Sequence, residues 1–179
     1  MNHADARAVA VFGSSDAREG LPAYDMARAV GRRLAELGYA VVNGGYGGAM
    51  EASARGAKEA GGATVGVICS IWTTRANRYI DRCVQTDGLT QRVAALLELG
   101  TSGCVAMPGS TGTLRELATA WEAGTIRPRD ARPLVCVGEF WRPLIDMMAS
   151  QRPACREVAA LIEGPEELER FFPAARKIR

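Results

Sequence analysis

Residues 103–116 read Gly-Cys-Val-Ala-Met-Pro-Gly-Ser-Thr-Gly-Thr-Leu-Arg-Glu. The first five form a short apolar run bounded by turn chemistry, which predicts a buried strand over 103–107. Pro108, Gly109, Ser110, Thr111, Gly112 and Thr113 then predict a tight turn, and a helical segment follows to about residue 123. Strand, glycine turn, helix is the opening half of a βαβ unit.

The same unit recurs on both sides of this stretch. A strand over 8–12 ends at Gly13-Ser14-Ser15, and a helix with Pro22 near its start is stopped by Gly38. A second strand over 39–42 enters Asn43-Gly44-Gly45-Tyr46-Gly47-Gly48, followed by a small-residue helix over 49–60. A third strand over 64–68, an irregular stretch over 69–81 and a short strand over 82–85 come next. A helix over 89–99 carries Val93, Leu96 and Leu97 on one side. Beyond residue 123, strands over 133–137 and 158–162 alternate with helices over 141–149 and 165–172. Near-continuous apolar strands separated by helices predict a Rossmann-like α/β fold: a doubly wound parallel sheet with helices on both faces. No linker or repeat divides it, so residues 1–179 are expected to form a single domain.

Composition narrows the function. A net charge of +2, with basic residues spread along the chain, argues against a nucleic-acid partner. The five cysteines (Cys69, Cys83, Cys104, Cys136 and Cys155) contain no C-x-x-C pair. Cys83, Cys104 and Cys136 lie in apolar strand-like runs, where burial is expected. An odd, buried set fits a reducing cytoplasm better than a disulfide framework. No stretch approaches the length of a membrane span, and a cytoplasmic protein with no membrane partner is expected.

Several chemistries lack their residues. The only histidine is His3, so a Ser-His-Asp or Cys-His nucleophile has no base and a His-based metal site has no ligands. The two lysines, Lys58 and Lys177, follow alanine and arginine, so the G-K-[ST] of a P-loop is absent. Neither lysine is placed for pyridoxal phosphate. Met50 stands where G-x-G-x-x-G needs its third glycine, and that loop follows the second strand, so a dinucleotide is rejected. No metal and no cofactor are expected.

Three loops can hold an anion: Gly13-Ser14-Ser15, Gly44 to Gly48, and Pro108 to Thr113. Each follows a strand, and in an open parallel sheet such loops border the ligand crevice. Glycine turns entering helices offer backbone N–H groups and the positive end of a helix dipole, which suit a phosphate without lysine. Each loop alone also reads as a plain strand-to-helix turn; three at one edge favour the phosphate.

Glu116 lies one turn into the helix after Pro108, and Arg92 near the start of the helix over 89–99. An arginine there opposes the helix dipole, whereas Glu116 complements it and has a bland capping role open to it. Beside a ribosyl ring, a carboxylate stabilises the positive charge that grows as an N-glycosidic bond breaks. An arginine can grip the phosphate and fix the sugar. Among Tyr46, Trp72, Trp121 and Trp141, the loop position singles out Tyr46 for ligand contact, and packing is expected of the others.

These residues resemble the LONELY GUY (LOG)-like proteins. Residues 108–116 match the family's PGGxGTxxE; Phe12-Gly13-Ser14-Ser15 and Gly44-Gly45-Tyr46-Gly47-Gly48-Ala49-Met50-Glu51 support the match, as do Trp121-Glu122 and Arg132-Pro133. The resemblance runs from about residue 9 to residue 144. It implies a Rossmann-like homodimer that releases a base and ribose 5-phosphate from a nucleoside 5′-monophosphate such as AMP or a cytokinin nucleotide. It also implies catalytic roles for Arg92 and Glu116 and a phosphate loop containing Gly109, Gly112 and Thr113. Ser110 in place of the motif's second glycine, Val93 in place of the lysine after the arginine, and the 46–51 pattern resemble a divergent branch. That branch includes nucleotide-binding proteins and molybdenum-cofactor carriers, so a non-catalytic carrier of a phosphorylated cofactor is the alternative expectation.

Overall fold

The computed structural model describes residues 7–174; His3 and Lys177 lie outside them. Among the described residues there are seven strands: β1 (Ala8–Phe12), β2 (Ala40–Asn43), β3 (Thr64–Cys69), β4 (Arg82–Thr86), β5 (Gly103–Ala106), β6 (Leu134–Val137) and β7 (Ala159–Ile162). They form one wholly parallel sheet in the order β4-β3-β2-β1-β5-β6-β7. Six helices accompany them: α1 (Pro22–Glu36), α2 (Ala49–Glu59), α3 (Leu89–Leu99), α4 (Thr111–Ile126), α5 (Arg142–Gln151) and α6 (Ala154–Val158).

The doubly wound Rossmann-like fold follows from the strands' own composition. All five residues of β1 are buried, because Val9 and Val11 face one helical layer while Ala8, Ala10 and Phe12 face the other. α1 and α2 cover the first face with Val30, Leu34, Ala52 and Ala57, closed by Leu168 and Phe172. Leu96 of α3, Leu117 and Trp121 of α4, Trp141 and Ile145 cover the second. Each fully buried aliphatic or aromatic side chain contributes about 1.5–3 kcal/mol of transfer free energy.

The chain leaves β1 toward β2 and leaves β5 toward β6 in the opposite direction. The sheet's topological switch point therefore falls between β1 and β5, where a crevice opens at the carboxyl ends of the strands.

Two expectations need correction. Cys83 is exposed, because β4 is an edge strand with only β3 beside it and a thin cover. The closing helix expected over 165–172 is a 3-10 helix, Pro165–Arg170, and Gly164 and Pro165 fix its tight entry. The short α6 was not expected: Ala154–Val158 spans barely more than a turn and packs against α4 and α5. On the amino side of the sheet, Arg7 Nη2 donates to the Pro173 carbonyl at 2.8 Å, and the Tyr39 hydroxyl donates to the same carbonyl at 3.0 Å. Arg7 also stacks on the Tyr39 ring, 4.2 Å from its centroid. Among the described residues, no helix is long and apolar enough to cross a membrane.

Candidate functional site

The three glycine and serine loops meet at the crevice and lock to one another. The Ala49 N–H donates to the Ser14 carbonyl at 2.8 Å, and the Met107 N–H donates to the Phe12 carbonyl at 2.9 Å. Gly48 holds a φ of +68°, and a Cβ there would sit 2.3 Å from the Ser14 carbonyl oxygen, so this crossing needs glycine. Ser14 Oγ accepts from the Asp16 N–H at 3.0 Å, which fixes the first loop's turn.

α2 and α4 both begin at this edge, after Gly48 and Ser110, and neither start is capped by a side chain. The first N–H groups of α4 lie around Thr111, Gly112 and Thr113. Uncapped amides at a helix start, reinforced by the helix dipole, suit an anion. Ser110, Thr111 and Gly112 are exposed; Thr113 is buried against Gly109.

Arg92 and Glu116 come together from different helices. Arg92 Nη1 donates to Glu116 Oε1 at 3.3 Å, and both residues are 8% exposed. The rest of the guanidinium is held by backbone: Nε donates to the Val67 carbonyl at 2.9 Å and Nη2 to the Gly44 carbonyl at 3.0 Å. Each of its three nitrogens thus already has a protein acceptor, and its fork joins β3, the β2 loop and α4. The carboxylate of Glu116 faces Arg92 rather than the first turn of its own helix, so capping is not what it does here. Burial pushes the Glu116 carboxyl up to about 7, with Arg92 opposing the shift.

Gly44 is what lets the arginine in. A Cβ at that position would lie 1.8 Å from Arg92 Nη2. Tyr46 then covers the guanidinium, its ring centroid 5.6 Å from Arg92 Cζ. The Tyr46 hydroxyl is fixed by the Cys69 N–H, which donates to it at 2.9 Å.

Sequence reasoning passed over three residues here. Asn43 is fully buried: its Nδ2 donates to the Met50 carbonyl and to Ser53 Oγ, and its Oδ1 accepts from the Gly45 N–H. Asn77 Nδ2 donates to the carbonyls of Gly45 and Tyr46, clasping the 70–81 segment onto the glycine loop. Trp72, of which packing was expected, packs edge to face with Tyr46 at 5.4 Å and does so at the site. The available signal was position, since Trp72 follows the carboxyl end of β3 by three residues. Trp121 and Trp141 are core residues whose indole N–H groups donate to the Cys155 and Met107 carbonyls. Asn43→Ala is expected to destabilise the fold by about 1–3 kcal/mol, because buried backbone groups lose their partner. Urea unfolding measures it, and an unchanged midpoint would refute the bracing role of Asn43.

A surface groove of about 740 Å³ between α1 and the last 3-10 helix is lined by Arg28, Arg32, Arg33 and Glu166, away from this edge. Arg28 and Arg32 there already pair with Glu59. Among the described residues, no group of three or more His, Cys, Asp or Glu side chains is arranged to hold a metal ion.

Comparison with known proteins agrees with this fold. A cytokinin riboside 5′-monophosphate phosphoribohydrolase of Mycobacterium tuberculosis is 35% identical over 116 residues, covering 63% of this chain and 61% of the relative. This chain thus matches about three-fifths of that relative's length. An uncharacterized protein of Archaeoglobus fulgidus is 33% identical over 116 residues, covering 65% of this chain and 74% of the relative. The structure of the molybdenum cofactor binding protein from the phototrophic bacterium Rippkaea orientalis has the same fold. Its TM-score is 0.74 at 22% identity, over 92% of this chain and 94% of that one. A family model described as SLOG cluster4 matches residues 6–128, which span the three loops, Arg92 and Glu116. On that match, over most of its length, this chain belongs to the SLOG cluster4 family, whose members are LOG-like.

Proposed function

We propose that the chain hydrolyses the N-glycosidic bond of a nucleoside 5′-monophosphate, AMP or a cytokinin nucleotide being the type, to a free base and ribose 5-phosphate. The observation that carries this reading is the buried Arg92–Glu116 pair, one helical turn from the uncapped start of α4. The phosphate binds the amides around Gly109, Ser110, Thr111, Gly112 and Thr113, with Pro108 setting the turn. Gly13, Ser14, Ser15, Gly44, Gly45, Tyr46 and Gly47 line the neighbouring wall. As the C1′–N bond breaks, its electron pair leaves with the base and positive charge develops on the ribosyl ring. Ionised Glu116 stabilises that charge and takes a proton from the attacking water; the departing base gains one from solvent. Arg92 holds the carboxylate in place. Water and side chains suffice for this chemistry. The name of the mycobacterial relative supports the same reaction.

The test is chromatography of products after incubation with a panel of purine and pyrimidine nucleoside monophosphates. Free base is expected, and its absence from every member of the panel would overturn the reading. Because the ionised carboxylate acts, and burial raises the Glu116 carboxyl to about 7, turnover is expected to climb with pH through about 7 and then level off. A profile already flat from acidic pH would contradict the role of Glu116. The reading carries with it a single cytoplasmic domain acting as a homodimer, whose stoichiometry sedimentation measures.

The fold likeness to a molybdenum cofactor binding protein supports a second reading, a carrier of a phosphorylated cofactor. A carrier binds tightly without releasing base, and Glu116→Gln leaves its affinity unchanged.

A further inference from the structure

We infer that Trp72 is the platform on which the ligand's aromatic base stacks, so the site selects a planar base by its face. This rests on the hydrolase reading and assigns a specificity residue to it. Trp72 is 43% exposed and its neighbour Ile71 is 53% exposed, an unusual display of apolar surface beside buried charge. The indole is nonetheless held in place. Its backbone N–H donates to the Cys69 carbonyl at 3.2 Å, and its ring meets Tyr46 edge to face with planes at 83°. The centroid lies 5.6 Å from Arg92 Cζ, and Arg92 in turn touches Glu116. One guanidinium thus contacts both the aromatic platform and the carboxylate expected at the sugar. A base against the exposed part of the indole and a ribose at Glu116 belong to one nucleotide.

The segment is braced rather than loose. The Asn77 N–H donates to the Gly45 carbonyl at 2.8 Å, and its side chain is committed to the Gly45 and Tyr46 carbonyls. With Asn77 engaged in this way, stacking reads the flat face that every base offers, which makes the site tolerant of base identity. Adenine and cytosine nucleotides are expected to bind comparably.

Calorimetry in the Glu116→Gln background, where turnover is slowed at least about a hundredfold, compares AMP, CMP and ribose 5-phosphate. Trp72→Ala is expected to weaken both nucleotides by roughly tenfold or more while leaving ribose 5-phosphate unchanged, and Trp72→Phe restores most of the loss. Equal weakening of all three ligands shows a structural role of the loop and overturns the inference, as does no weakening of any. If neither nucleotide nor ribose 5-phosphate binds, the hydrolase reading fails and takes the platform with it. Fluorescence of Glu116→Gln with Trp72 intact gives an independent reading, since Trp121 and Trp141 are buried. AMP is expected to quench emission while ribose 5-phosphate does not; identical responses to the two overturn the inference.

Discussion

Glu116→Gln is expected to slow base release by about a hundredfold to a thousandfold, the range for loss of one preorganised electrostatic group at a reacting centre. The substitution is nearly isosteric, and the amide oxygen still accepts from Arg92 Nη1, so the loops keep their geometry. Ribose 5-phosphate affinity, read by calorimetry, therefore stays near that of the wild type. Wild-type turnover in the variant would remove Glu116 from the mechanism. The same variant reports on stability. In the folded protein Glu116 titrates at about 7 rather than 4.5, so the native state holds this proton more tightly than the unfolded chain. This carboxyl therefore withdraws stability as pH rises from about 4.5 to 7 and withdraws no more above that window. Relative to Glu116→Gln, the loss across the window is on the order of 3 kcal/mol. Urea unfolding of both proteins at about pH 5 and about pH 8 measures it. A difference independent of pH would mean that the buried carboxylate carries no such penalty.

The second large effect belongs to a residue with no side chain. Gly44→Ala places a methyl group 1.8 Å from the position of Arg92 Nη2, closer than any real contact, and the guanidinium must leave. Its departure strands Glu116 as a buried carboxylate without its cation and empties the carbonyls of Gly44 and Val67. Breaking one side of a buried pair costs about 3–5 kcal/mol. Both the unfolding midpoint and turnover should therefore fall, turnover at least as far as in Glu116→Gln. Arg92→Ala in the Gly44→Ala background separates clash from contact. The double variant should be no less stable than Gly44→Ala alone, because the methyl then has space. Wild-type stability of Gly44→Ala would show that the loop can shift and that the close approach is not required.

Much of this architecture is legible in the sequence because the strands are buried on both faces. An apolar run such as 8–12 needs no partner to be recognised, and glycine turns mark where each strand meets its helix. The boundaries of α3 are equally plain, since Gly88 and Gly100 bracket a helical apolar period. Cys83 was misplaced because an apolar-looking run does not say whether its strand is central or at the edge. Neighbours decide that, and β4 has one. The same limit applies to the site. Gly109 and Glu116 lie in one contiguous motif and can be read together. Trp72 and Asn77 act through contacts between segments that lie far apart in sequence, such as the Asn77 amide on the Tyr46 carbonyl. Local pattern carries no trace of such contacts until the sheet has placed β2 beside β3.

The pinning of Arg7 and Tyr39 to Pro173 has a practical reach. Residues 7 and 173 meet at the pole of the molecule opposite the crevice. A fluorescent reporter or surface anchor attached at residue 7 or residue 173 sits on the side facing away from that crevice. Immobilised protein oriented this way presents its open edge to solution.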